Sequence, residues 1–298
     1  MALVNQVQKT SGISTKRRTK DLAMTVMVFI AFLLAVLPLA SLLWTVIGNG
    51  INRFDVDFFS SSMRNVVGAG GGALHAIIGT LEITTIATLL SVPIGFLTAI
   101  YLVEYGSGRM AKAVTLMVDV MTGIPSIVAG LFAFALFSIF FGPGVRMGFG
   151  GAIALSLLMT PVVVRSAEEM LKLVPNELRE ASYALGIPKW RTIVKVVIPT
   201  AVGGLVTGVM IAIARVIGET APLLIIAGFT QSMNYNPFSE RMMTLPVFVF
   251  NAYASQGADK QAYIDRAWAG ALTLMLIVLI LNLGARLVSR VLKPIGDR

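Results

Sequence analysis

Six long and mostly apolar runs in this sequence carry at most one charged side chain each. The runs are 22–48, 78–103, 113–141, 149–164, 196–217 and 267–287. A helix of about 20 apolar residues, rising 1.5 Å per residue, matches the hydrocarbon core of a bilayer. Within that core each backbone N–H and C=O must be paired inside the protein, which a helix achieves by itself. The expected fold class is therefore all-α, a polytopic integral membrane protein with six transmembrane helices. Only 13% of the 298 residues are charged and 56% are hydrophobic, whereas soluble domains carry about 25% charge. A soluble interior cannot hide that much apolar surface, so a soluble enzyme and a disordered chain are excluded. Cysteine is absent, which removes disulfides, thiolate catalysis and Cys-ligated metals. His75 is the single histidine, so a His-rich metal site is impossible.

The run at 22–48 is too long for the core of a cleavable signal peptide and reads as a retained helix. Two shorter apolar stretches, 220–229 and 245–253, cannot span and are expected to be re-entrant or interfacial. The net charge is +9. In a membrane chain this excess belongs first to loops beside the lipid headgroups of the cytoplasmic side, not to nucleic acid. With the N-terminus inside, sixteen of the 24 Lys and Arg fall on cytoplasmic segments, including Lys9, Lys16, Arg109, Lys189, Arg286, Lys293 and Arg298. Six fall outside: Arg53, Arg64, Arg146, Arg241, Lys260 and Arg266. This asymmetry places both termini in the cytoplasm. The expected divisions are a basic tail at 1–21, a first helix at 22–48, an external loop at 49–77, the main membrane body at 78–292 and a tail at 293–298. The Gly68–Gly72 run in the external loop lacks the Gly-Lys-Ser/Thr of a nucleotide phosphate loop. It reads as a flexible linker.

The most informative stretch is 174–199, between the fourth and fifth spans. Pro175 and Asn176 make a helix start, with Glu177 and Glu180 in the first turn where the dipole favours acids. Gly186 fits a left-handed stop, and Pro188 opens the next helix. Trp190, Ile193 and Val194 share one face at helical spacing. Pattern alone leaves two readings open: a surface that docks into a partner's groove, or an amphipathic segment on headgroups.

Glu180, Ala181, Ser182, Gly186, Val196, Ile198 and Pro199 resemble, in register, the coupling signature of ABC importer permeases: Glu-Ala-Ala, three residues, Gly, nine residues, Ile-x-Leu-Pro. Ser182, Val196 and Ile198 depart from it with little change in size. Five further segments, 99–105, 123–131, 171–175, 211–224 and 267–270, are similar to the permease subunits of phosphate importers. The resemblance implies a type I importer permease fold with docking onto the ATPase carried by Glu180, Ala181 and Gly186. It implies a second permease subunit, two ATPase subunits that hold ATP and Mg, and an external phosphate-binding protein. The chain itself would be no enzyme and carry no cofactor, and it would sit in a bacterial inner membrane.

A charge in the bilayer normally faces protein or a water path. Arg165 and Glu168 lie three apart, and Arg215 and Glu219 four apart, so each Arg is expected to reach its own Glu. Thr220 and Pro222 follow, where a broken helix frees backbone groups to line a cavity. As a path for an oxyanion, Arg215, Glu219, Thr220, Arg165 and Glu168 would attract phosphate without trapping it. As structure alone, the same pairs would fix helix packing. Glu82 and Asp119 read as boundary residues or packing partners. Thr80, Thr84, Thr85 and Thr88 form a hydroxyl stripe, Gly203, Gly204 and Gly208 favour close helix approach, and Pro125 is expected to kink the third span. A permease for another oxyanion (sulfate, molybdate or a phosphonate) and an ion-coupled secondary transporter remain alternatives.

Overall fold

The computed structural model describes residues 15–257 and 259–291, and each regular element among them is helical. The tail residues 1–14 and 292–298, with Lys9, Lys293 and Arg298, lie outside the described residues. The chain divides into two units, to Gly48 and from Asn49. The first is the greater part of α1 (Thr15–Gly50), with Pro38 inside it.

In the second unit α2 (Val56–Ser60) starts at Asp55, whose Oδ1 accepts from the Phe58 N–H at 2.8 Å. Then follow α3 (Leu74–Ile100), extended by π-helical Tyr101–Tyr105, α4 (Gly108–Thr122), α5 (Ser126–Phe141) and α6 (Gly148–Lys172). The hairpin is α7 (Asn176–Ala184) and α8 (Lys189–Thr192). A second π-helical stretch, Ile193–Val197, joins α8 to α9 (Ile198–Val216). Short α10 (Ala221–Ile226), α11 (Leu245–Ala254) and long α12 (Lys260–Val291) complete the unit. Among the described residues five helices are long and apolar enough to cross a membrane, and α4 with α5 passes the same test only as a bent pair, a broken span or a re-entrant loop.

That bend corrects the expected single kinked span at 113–141. The two halves meet at 106°. Ile124, before Pro125, is disfavoured in the helical region, and Pro125 has no N–H to continue the ladder. Pro125 takes ψ 137° and heads α5, its carbonyl accepting from Val128 N at 2.9 Å. The fourth span also differs: the helix runs on from 164 to Lys172, because its charged residues pair along one face at spacings of three and four.

Helix α6 is the centre. Its most apolar window is 56% buried, against 22–28% for the α3, α9 and α12 spans. Glycines bring neighbours close: a Cβ on Gly95 of α3 would lie 2.6 Å from Val163 Cγ1, and one on Gly150 would lie 2.5 Å from Ile226 Cγ1 of α10. Gly204 and Gly208 of α9 meet Met170 and Ser166 of α6. These two glycines therefore serve packing within the chain. Buried Leu223 and Ile226 of α10, and Leu245, Val247 and Phe248 of α11, pack each short helix against the core, while Phe250 and Tyr253 of α11 face out. Ten residues of α11 rise only about 15 Å, half a bilayer core. Its first N–H, of Leu245, donates to Thr80 Oγ1 at 2.7 Å, so one member of the hydroxyl stripe caps a neighbouring helix.

The glycine run is no free linker. Arg266 Nη1 donates to the carbonyls of Gly68 and Gly70 at 2.8 and 2.7 Å, and Arg53 Nη2 to that of Gly71 at 3.0 Å. Gly68 and Gly71 take φ of 84° and 65°. Bare backbone turns its carbonyls toward two guanidinium groups, whose charge-assisted bonds hold it.

Candidate functional site

The hairpin between α6 and α9 presents one free side and one anchored side. Gly186 takes φ 75° with nothing within 4 Å of its missing side chain. The Gly186 N–H donates to Tyr183 O at 2.9 Å and that of Ile187 to Ser182 O at 3.2 Å, which closes α7 in a left-handed stop. Glu180, Ala181, Gly186, Trp190 and Val194 are exposed. Ile193 is buried, so the expected strip of Trp190, Ile193 and Val194 divides: the middle residue faces the core and the outer two face out. Ser182 and Thr192 share a buried hydroxyl–hydroxyl hydrogen bond of 2.8 Å that ties the two arms. The serine that departs from the coupling signature is thus used.

The anchored side converges on Glu104, at the end of the α3 span. Its Oε1 accepts from Arg179 Nε at 3.0 Å and Nη2 at 2.8 Å. The same guanidinium donates to Leu171 O in the last turn of α6 at 3.0 Å and to Val174 O just beyond it at 2.6 Å. Lys189, at the start of α8, donates to the Glu104 carbonyl, and its Nζ lies 4.8 Å from the Tyr105 ring centroid. Sequence reasoning missed this node. Its one signal is a lone carboxylate closing an apolar run, and its partner lies 75 positions away.

Within the spans the structure joins Arg165 and Glu168 at 2.8 Å, as spacing predicts. It adds Lys172 to Glu168 at 2.7 Å, and Asp119 of α4 to Arg165. Asp119 is thereby a packing partner across α4 and α6. Glu82 is not: its Oε2 is enclosed with no hydrogen-bond partner. Arg215 and Glu219 do not pair, which corrects the expectation from spacing. Helix α9 ends at Val216, and Glu219 N donates to Val216 O at 3.1 Å in a tight turn, off the helical register. Among the described residues neither has an opposite charge within 4.0 Å. Arg215 is exposed, and Glu219 and Thr220 are half-buried at the entry to α10. Among the described residues no three His, Asp or Glu side chains gather as metal ligands.

An anchored hairpin with a free face can transmit a push into the helices. A bare guanidinium on a span can meet an anion. The family described as the binding-protein-dependent transport system inner membrane component matches residues 91–294. The phosphate transport system permease protein PstA 1 of Mycobacterium tuberculosis (strain ATCC 25618 / H37Rv) is 45% identical over 281 residues, covering 93% of this chain and 89% of that protein. The phosphate transport system permease protein PstA of Mycobacterium leprae is 46% identical over 276 residues, covering 91% and 89%. In fold, the chain is similar to one in the crystal structure of a bacterial alginate ABC transporter in complex with alginate pentasaccharide-bound periplasmic protein. The TM-score is 0.63 at 15% identity, covering 92% of this chain and 96% of that one.

Proposed function

From the premise that this chain belongs to the family of binding-protein-dependent transport system inner membrane components, we propose how its parts serve transport. The chain is the membrane-spanning permease subunit of an ATP-driven phosphate importer, and its relatives are named as phosphate transport system permeases. It is a transport component of the inner membrane, and ATP hydrolysis belongs to a separate subunit. The observation that carries this reading is the likeness to phosphate permeases along nearly the whole chain.

In the finer reading, both termini and the hairpin at 174–199 face the cytoplasm. Glu180, Ala181 and Gly186 dock into an ATPase subunit, which holds ATP and Mg. Their exposure and the open left-handed turn at Gly186 support this. Two ATPase subunits serve this permease and a second, related one, and an external phosphate-binding protein delivers the ion. The segments 1–21, 22–48, 49–77 and 78–292 act as tail, first span, external loop and permease body, with 293–298 a second tail.

Arg215, Glu219 and Thr220 line the phosphate path between the two permeases. An exposed guanidinium on a span needs water or an anion opposite it, and its planar fork matches two phosphate oxygens. Glu219 tempers the attraction, so the ion leaves again. Arg165 and Glu168 form a second station near the hairpin, held by Asp119 and Lys172.

The test is reconstitution of the whole complex in liposomes with labelled phosphate inside or outside. ATP-dependent phosphate uptake is expected, outcompeted by phosphate and not by sulfate or molybdate. Gly186→Trp should keep the subunit in the membrane and abolish ATP-coupled uptake. Uptake at full rate in that variant sinks the docking role.

A further inference from the structure

The polar ties between α7 and the spans converge on one node. Among the described residues, Arg179 is the α7 side chain that hydrogen-bonds to spanning helices. The other buried polar contact of α7, Ser182 to Thr192, stays inside the hairpin. Arg179 and Glu104 are themselves out of water, their side chains 13% and 4% exposed.

We propose that the Glu104–Arg179 pair is a strut that carries displacement of the hairpin into the ends of three spans, so that both are positioning residues for coupling. The proposal rests on the permease reading above.

Three observations support it. The first is convergence: the Arg179 fork grips Glu104 at the end of α3 and the Leu171 carbonyl in the last turn of α6, while Lys189 ties the start of the α9 span to the Glu104 carbonyl. A force on α7 is therefore shared among α3, α6 and α9 at one point. The second is stiffness: two N–H donors on one carboxylate oxygen, away from solvent, resist rotation in a way that a single exposed lysine contact does not. Leaving either charge there unpaired is costly, so the strut stays closed while the hairpin moves. The third is the backbone. Glu104 itself lies in a π-helical turn, Tyr101–Tyr105, and a second, Ile193–Val197, follows the α8 turn that carries Lys189. Such widened turns are frequent at functional sites.

The experiment uses the complete complex in liposomes, measuring phosphate imported and ATP hydrolysed together. Glu104→Gln should assemble and hydrolyse ATP, with phosphate moved per ATP lower by about fivefold or more, the scale of typical coupling between sites. Arg179→Lys keeps the buried cation, and so the fold, but loses the fork; its ratio should also fall. The chain has no cysteine, so Glu104→Cys with Arg179→Cys can be joined by a short bis-maleimide. The double variant should be uncoupled, and the cross-link should restore coupled uptake. A merely structural pair would lower hydrolysis and uptake together and leave the ratio unmoved. An unchanged ratio in Glu104→Gln and Arg179→Lys, or no recovery on cross-linking, overturns the strut alone. No ATP-dependent uptake by the unaltered complex overturns the permease reading and the strut with it.

Discussion

Gly208 and Ser166 touch so closely that a Cβ added to the glycine would lie 1.9 Å from the serine Oγ and 2.8 Å from its Cβ. The serine hydroxyl can rotate away, but its Cβ cannot. Gly208→Ala should therefore force α9 off α6 and cost about 1–3 kcal/mol, the scale of overpacking in a filled core. Thermal unfolding in detergent measures it, and Ser166→Gly should restore the loss. Gly204→Ala meets the flexible end of Met170 instead and should cost less.

Thr80 Oγ1 accepts from the Leu245 N–H inside the protein. Thr80→Val keeps the shape and removes the acceptor. The stranded N–H should cost about 1–3 kcal/mol, and Thr80→Ser should recover most of it. Hydrogen exchange at Leu245 is the direct readout, with faster exchange expected in the valine variant.

Arg215 is exposed and has no carboxylate partner among the described residues. Arg215→Gln should change stability by no more than about 0.5 kcal/mol, as for surface positions. Phosphate uptake should fall by about tenfold or more as the charge-assisted fork is lost. Arg215→Lys should retain part of the flux. A normal uptake rate in Arg215→Gln would place the residue in packing, not in the path.

Glu168 behaves differently, because it compensates two cations, Arg165 and Lys172. Its side chain is 11% exposed. Glu168→Gln should lower stability by about 2 kcal/mol, the scale of hydrogen bonds to charged groups. Uptake should fall with it. Detergent melting temperature and uptake, measured on one preparation, separate this pattern from that of Arg215.

The spans were legible because a bilayer demands long apolar runs, and 22–48, 78–103 and 267–287 each correspond to a long helix. Charge misled at the end of the fourth: Arg165 reads as a boundary only until its partners at 119, 168 and 172 are known. Pro125 reads as a kink within one span, yet the two halves meet at 106°, an angle that depends on what α5 packs against and of which local sequence carries no record. Gly186 was legible as a left-handed stop, because few residues other than glycine adopt that conformation readily. The pairing of Arg215 with Glu219 failed because the rule of four holds only inside a helix, and α9 stops one residue after Arg215. Glu104 was invisible for the opposite reason. Nothing near it in sequence names a partner, and only the fold brings Arg179 to it.

Helix α6 meets α3, α4, α5, α9 and α10 through side chains trimmed to fit. A rod hemmed in on so many sides cannot slip lengthwise without jamming, since close-packed interiors yield very little. Any switching of this subunit must then carry α6 and its ring of companions as a single rigid wedge. The give has to come from the rim.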